Sequence, residues 1–401
     1  MIPAPAIVGD ATSLPAILQA IDRARTVRPT VPLALATLVN VEGSSYRQPG
    51  ARLLVDVEQR VLAGAISGGC LEGDVAARAA EVCEAGVASL LRYDLREDLE
   101  TIWGFGAGCD GIAHVLLEPL TDDRWLRDAH ERMMRRLQPV LVTTFASNNA
   151  AATIGTHELM HVVEASDAPE HLRSPMLSGQ PFVGPITHNG FESSVLSEPL
   201  RAPVALHLIG AGRSAEAFAT IAVAMGWQVT VIDHRPALLA EMRLPDAAGR
   251  LERRAEQGLD DLPRDGRTAV ALLTHIFEMD AAWLRALLSE PVAYVGVLGS
   301  RNRAARLVDE LRSGGTNITD DMHGRLFAPI GLDLGGESPE SIALAAVAEM
   351  EAVFHQRPGG FLKTRQSPIH TRTPVPVLVP GGTDATVESC AIPRDERGGE
   401  L

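Results

Sequence analysis

"VALHLIGAGRSAEAFATIAVAMGWQVTVIDHRP", residues 204–236, sets a short apolar run before a glycine turn, then a stripe of small apolar residues, then a second apolar run ending in an acid. That order predicts strand, turn, helix and strand. Gly210-Ala211-Gly212-Arg213-Ser214-Ala215 is a G-x-G-x-x-A turn. In such a setting the first glycine makes the tight turn and the second lets a diphosphate approach the backbone. The helix N-terminus then supplies free amides and the positive end of its dipole. Asp233 closes the second strand, 23 residues beyond Gly210, where a carboxylate can accept from ribose hydroxyls. A bare glycine fingerprint is a weak signal. With strand, helix and acid in their places it predicts a phosphate-bearing ligand on Gly210 and Gly212.

Strands are predicted downstream at 268–273 and 292–298, helices at 278–289 and 301–312, and a long helix at 338–355. Strands alternating with helices give a doubly wound parallel sheet, a Rossmann-like domain over 203–357. The bland alternative is such a domain without a ligand. Its strand ends carry Thr274-His275 and Gly299-Ser300-Arg301. His275 reads either as an acid/base group or as a capping histidine. Ser300 and Arg301, at a helix start, suit an anion; a solvated surface arginine is the plain alternative. Residues 358–401 read as a largely disordered tail: twelve of the 45 positions from Arg357 are Pro or Gly, with no periodic stripe.

Upstream, 1–165 forms a first α/β domain. Helices are predicted at 13–25, from Leu71 to Gly86, and at 122–136. Strands are predicted at 32–41, twice within 51–67, and at 88–93, 112–118, 139–145 and 157–163. The stretch 166–202, rich in Pro, Ser and Gly, reads as a connection with some β structure. The fold class is therefore α/β, an N-terminal α/β domain followed by a Rossmann-like doubly wound parallel sheet.

A formal charge of −15 disfavours nucleic acid as a partner and requires a locally basic or amide-lined site for any anionic ligand. No signal-peptide layout and no apolar run of membrane-spanning length is present, so a cytoplasmic protein without a membrane partner is expected. Aromatic residues make up only 4%, so the cores should be built from Ala, Val and Leu.

Four cysteines (70, 83, 109 and 390) without a CxxC make neither a disulfide framework nor a zinc site. Cys83 lies on the apolar stripe of its helix and reads as core; Cys390 lies in the tail. Cys70, in "ISGGCLEGDV" (66–75), and Cys109, in "WGFGAGCDG" (103–111), follow glycines instead. At a helix start, amides and dipole favour a thiolate at Cys70, which Glu72 and Asp74 partly offset. A buried small-residue role is the alternative for both. "EGSSYRQPGARLLV" (42–55) gathers Ser44, Ser45, Arg47 and Arg52 around glycine turns, a set suited to phosphate or carboxylate.

These pieces together resemble the XdhC/CoxI family of xanthine dehydrogenase accessory proteins. The matching stretches are "GSSYRQPGARLLVD", "GAISGGCLEGDV", "GAGCDG", "LIGAGRSAEAFATIAVAMGWQVTVIDHRP", "YVGVLGSRNRAARL" and "APIGLDLGGESPESIALAAVAEM", in the family's order from about residue 30 to 355. The resemblance implies a non-catalytic chaperone that binds and protects the molybdenum cofactor, as molybdopterin or a dinucleotide form. It would assist sulfuration with a cysteine desulfurase and deliver the cofactor to a molybdenum hydroxylase of the xanthine or carbon monoxide dehydrogenase kind, as a homodimer. The phosphate or diphosphate would rest on Gly210 and Gly212. Ser44, Ser45, Arg47 and Arg52 would close across a cleft from the other domain, and Cys70 and Cys109 would approach the metal. Three places depart from the family's pattern: Tyr46 where proline is usual, Ile276 and Phe277 where acidic and histidine residues are usual, and Phe327 where histidine is common. The rival reading is an NAD(P)-dependent oxidoreductase, which leaves the cysteine and arginine loops without work. A protein–protein adaptor with a vestigial nucleotide fold is a third.

Overall fold

The computed structural model describes residues 13–43, 45–95, 111–149, 152–161, 168–188 and 190–366. The chain forms two compact units, one ending at Ala202 and the other beginning at Pro203.

The first unit opens with α1 (Leu14–Val27), capped by the Ser13 hydroxyl, which accepts from the Ala16 amide. There follow β1 (Leu33–Gly43), β2 (Arg52–Asp56), β3 (Val61–Gly64), α2 (Glu72–Ala85), β4 (Ser89–Asp94) and β5 (Gly111–Pro119). The five strands pair antiparallel in the order β3-β2-β1-β5-β4. Helix α2 stops at left-handed Gly86 and buries Val75, Ala79 and Val82 against Leu38, Leu53 and Val115 on one face. On the other face Ile17 and Ile21 of α1 meet Leu35 and Leu54, joined by Leu126 and Ala129 of α3 (Arg124–Met134).

A second antiparallel sheet is built from β6 (Val140–Ser147), β7 (Thr156–Met160), β8 (Phe182–His188) and β9 (Phe191–Pro199), in the order β7-β6-β9-β8, with α4 (Glu170–Ser178) between β7 and β8. Residues 166–202 are therefore not a plain connection: they carry α4 and half of this sheet. Their serines and glycines hide the strand signal, because Ser194 and Ser197 are buried in β9 by pairing on both sides and not by apolar character.

The second unit runs β10 (Ala205–Ile209), α5 (Arg213–Ala224), β11 (Gln228–Asp233), α6 (Pro236–Glu241), β12 (Gly249–Glu252), β13 (Thr268–Leu272), α7 (Phe277–Leu287), β14 (Tyr294–Val297), α8 (Arg301–Ser313), α9 (Asp320–Gly324), β15 (Leu326–Phe327) and α10 (Pro339–Phe354). All its strand pairs are parallel, in the order β12-β11-β10-β13-β14-β15. Helices α5 and α10 cover one face around Phe218, Ala222, Val347 and Met350; α7 and α8 cover the other with Leu284, Leu307 and Leu311. The cores are built mainly of Ala, Val and Leu, as the composition requires. Truncating the fully buried Phe218 to alanine would cost about 3–5 kcal/mol. The short α6, β12, α9 and β15 leave no periodic signal in the sequence.

The sheet fixes where a ligand can lie. From β10 the chain winds outward through β11 and β12, then returns to β13 on the other side. Crevices in doubly wound sheets open at the carboxyl ends of the strands at such a reversal. Among the described residues no helix is long and apolar enough to cross a membrane.

Candidate functional site

Gly210 follows β10 at the reversal with φ +115°, a value that favours glycine. A Cβ there would stand 2.8 Å from the backbone of Leu273 and Thr274 after β13, so this glycine lets two neighbouring strand ends approach. Gly212 precedes α5 in extended conformation, and a Cβ on it would meet nothing within 4 Å. The two glycines thus have different work: Gly210 closes the turn, and Gly212 leaves one side of it bare. Arg213 beside it is exposed.

Asp233 departs from the expectation. Its side chain is fully buried. Oδ2 accepts the Ala211 amide at 2.7 Å and Arg235 Nη2 at 2.8 Å; Oδ1 accepts Arg235 N and Nε, both at 2.9 Å. The His234 imidazole stands 3.3 Å from Oδ1. Burial pushes this carboxyl up, but the bonds from Arg235 and Ala211 outweigh it and hold the group below its ordinary range. Asp233 is therefore not an open acceptor for ribose. It ties the glycine turn to the end of β11, because a buried carboxylate must be satisfied from within the protein.

After β13, His275 is exposed and left-handed, with φ +60°. The Thr274 hydroxyl sets that turn. It accepts the Ile276 amide at 3.1 Å and donates to Asp280 Oδ1 at 2.5 Å. Asp280, fully buried on α7, is neutralised by Arg303 of α8, whose Nη2 lies 2.6 Å from Oδ2. After β14, the Ser300 hydroxyl caps α8 by accepting from the Arg303 amide at 3.3 Å, which commits it to the helix. Arg301 is exposed beside it. Strands β10, β13 and β14 are neighbours, about 4.8 Å apart, so the turns that carry Gly212, His275 and Arg301 leave the sheet in that order at one edge. In a chain of charge −15 this edge carries the exposed Arg213 and Arg301.

Phe277 lies half-buried at the start of α7, with the guanidinium groups of Arg303 and Arg306 at 5.7 and 5.1 Å from its ring centroid. Phe327 on β15 stacks on Tyr294 at 4.4 Å. Both phenylalanines among the departures are thus used in packing, whereas Ile276 beside Phe277 is exposed. Sequence reasoning passed over Arg235, Asp280 and Arg303. The available signals were Asp280 beside the apolar run "AAWL" of "FEMDAAWL" and the arginine two places after Asp233.

In the first unit the register settles a different question. β1 ends, β2 begins, β3 ends, β4 ends and β5 begins at one end of the antiparallel sheet, with Gly43 opposite Gly111 and Asp94 opposite Ile112. The arginine loop after β1 and the cysteine loop after β3 leave the sheet there. Ser44 and Cys109 lie outside the described residues, as does Cys390 with all of 367–401. Ser45 is half-buried, and the Arg47 guanidinium lies 5.5 Å from the Tyr46 ring.

Arg52 departs from expectation. It is buried and bidentate to Glu198 of β9, with Nη1 to Oε1 at 3.1 Å and Nη2 to Oε2 at 2.5 Å. A guanidinium spent in this way on a buried carboxylate is withdrawn from any ligand.

Cys70 is exposed. Its loop is organised by Glu72, whose carboxylate accepts the Ile66 and Ser67 amides at 3.1 and 2.8 Å and the Ser67 hydroxyl. Burial pushes Glu72 up, yet these bonds hold it below the usual carboxylate range. The Leu71 amide is shared between Ser67 Oγ and Glu72 Oε2, at 3.1 and 3.2 Å. That amide, expected to face the sulfur, is taken. Asp74 turns instead to Arg78, at 2.8 Å, and to the buried Tyr93 hydroxyl, at 2.6 Å. Cys83 packs against the α2 core and meets the Leu33 carbonyl at 3.5 Å; burial pushes its thiol up. Among the described residues no three His, Cys, Asp or Glu side chains gather as a metal site.

Two family models match the chain: the XdhC Rossmann domain over residues 206–350, and the XdhC and CoxI family over residues 27–94. A protein of Bacillus subtilis described as a probable xanthine dehydrogenase subunit is 32% identical over 319 residues, covering 79% of this chain and 91% of that protein. The molybdenum cofactor insertion chaperone PaoD of Escherichia coli is 25% identical over 324 residues, covering 80% of this chain and 84% of its own. A solved structure of a xanthine dehydrogenase from Bacillus halodurans superposes with a TM-score of 0.66 at 26% identity, covering 84% of this chain and 96% of that one.

Proposed function

Since the chain belongs to the XdhC and CoxI family, we propose that it is a maturation chaperone that binds the molybdenum cofactor and passes it to a molybdenum hydroxylase. The observation that carries this reading is the bare face of Gly212 on a sheet edge with Arg213 and Arg301 exposed, beside relatives named for cofactor insertion and for xanthine dehydrogenase. Here the cofactor is cargo. Gly212, His275 and Arg301 would hold its phosphate end, with amides and cations that stabilise an anion without reacting with it. Cys70, exposed on the loop after β3, is assigned to molybdenum or to sulfur in transit, with Cys109 as its candidate companion. Assistance of sulfuration, a cysteine desulfurase partner and a homodimeric assembly come with the family resemblance and belong to this proposal. An NAD(P)-dependent oxidoreductase has less support, because the acid that would take a ribose is closed.

The test is the ligand released when protein from a molybdenum-replete host is denatured. Oxidised pterin fluorescence supports the chaperone, nicotinamide absorbance the oxidoreductase, and no small molecule the adaptor. Gly212→Val should fold and lose at least about tenfold in cofactor affinity, the scale of one charge-assisted contact. Full affinity in a folded variant would remove Gly212 from the site.

A further inference from the structure

Asp233 stands where a dinucleotide-binding sheet places the acceptor for a ribose diol. In this protein both its oxygens are taken, by the Ala211 amide and by the backbone and side chain of Arg235. The carboxylate has no exposed surface, whereas the arginine side chain is 38% exposed. Arg235 spends Nε and Nη2 on Asp233 and keeps Nη1 free of any hydrogen bond among the described residues. The strand end that would offer a negative acceptor thus offers a positive donor. It lies next to the β10 end, where Gly212 is open and Arg213 exposed.

We propose that Arg235 is the specificity residue of this crevice: paired with Asp233, it closes the place of a ribose diol and puts a guanidinium donor there, so the crevice takes a terminal phosphate monoester and not an unphosphorylated ribose. The proposal rests on the chaperone reading above and deepens it, since it selects the simple phosphate form of the cargo over a nucleotide-linked one. A ribose hydroxyl would have to displace the Asp233–Arg235 bonds to find an acceptor there. A phosphate dianion needs only the donors already turned outward.

The test uses the full-length protein, freed of ligand, and the stable fluorescent oxidation product of the cofactor's pterin. Affinity is measured for that product with its phosphate and after phosphatase treatment. The phosphorylated form should bind about tenfold tighter or better, the scale of one hydrogen bond to a charged group. Arg235→Gln should weaken the preference to what Gly212, His275 and Arg301 supply, while Arg235→Lys, which restores the charge, should recover part of the loss. Should Arg235→Gln fail to fold, Arg235→Lys decides: a preference as strong as that of the unaltered protein means that the guanidinium does not set it, and a weaker one supports the role. Equal affinity for the two forms, or an intact preference in folded Arg235→Gln, overturns the role of Arg235 and leaves the chaperone reading standing. Binding of neither form removes the chaperone reading, and this inference with it.

Discussion

Tyr46 lies against Gly68: a methyl group on that glycine would stand 3.8 Å from Cγ of the tyrosine ring. The contact joins the arginine loop to the cysteine loop, using an aromatic residue that is 67% exposed where the family resemblance leads one to expect proline. The distance is ordinary van der Waals contact, so Gly68→Ala should change stability by no more than about 0.5 kcal/mol. Gly69 differs. Its φ of +114° lies in a region that side chains rarely adopt. Gly69→Ala should therefore lose about 1 kcal/mol from backbone strain, since nothing else crowds the site. Urea denaturation of both variants checks the contrast, and equal effects would contradict it.

The Arg52–Glu198 pair is closed off from water. Arg52→Met leaves a buried carboxylate without its partner and should cost about 3–5 kcal/mol. A cost below about 1 kcal/mol would mean that the arginine is held loosely and returns to the candidates for ligand binding. Denaturation midpoints at constant m-value report which holds.

Among the described thiols, Cys70 should react with a disulfide reagent well before Cys83, whose sulfur is half-buried and whose thiol burial pushes up. Cys70→Ala should leave the melting temperature within about 2 °C, because an exposed side chain contributes little packing. Activation of a co-expressed molybdenum hydroxylase should fall in Cys70→Ala and Cys109→Ala and persist in Cys83→Ala. Full activation in the first two would make both cysteines structural.

Asp233 and Asp74 are both held below the usual aspartate value; burial pushes each up, and Arg235 or Arg78 with Tyr93 more than reverses it. A lowered folded value means stability that is present above the unfolded value, about 3.9, and lost as the pH falls through the folded one. Stability should therefore decline below about pH 4, and Asp233→Asn should flatten that acid limb. Melting scans from pH 7 to 3 measure it, and an unchanged slope in the variant would refute the assignment.

His275 holds a left-handed backbone that histidine tolerates and a β-branched residue does not. His275→Val should lose about 1–2 kcal/mol, while His275→Gly should stay near neutral. If the imidazole meets the cargo, both variants should weaken pterin binding to a similar degree. Unchanged binding in both would leave His275 as a turn residue only.

Much of the second unit was legible because its signals are local. The strand, Gly210, the α5 stripe and Asp233 all fall within 33 consecutive residues. Ser13 and Gly86 likewise mark helix ends through their own side-chain and backbone chemistry. What escaped depends on partners far along the chain. Arg52 meets Glu198 across 146 positions, and no pattern near either residue announces it. The place of Asp233 on its strand is local, but the sequence alone does not mark Arg235, two positions on, as the partner that closes it. Serine-rich β9 lies in a stretch that reads only as a connection with some β structure, since its burial comes from pairing with β6 and β8.

The bond from the Ala211 amide to Asp233 has an evolutionary consequence. The glycine turn, the acid and the arginine are one heritable character written at three addresses. A lineage that lost the acid would leave the turn without its tie and the arginine without its counter-charge; one that lost the arginine would strand a buried anion. Substitution histories of relatives should show Asp233 and Arg235 kept or replaced together, with intermediates rare. Drift at one position alone would mark a chain in which the crevice had been released from its work.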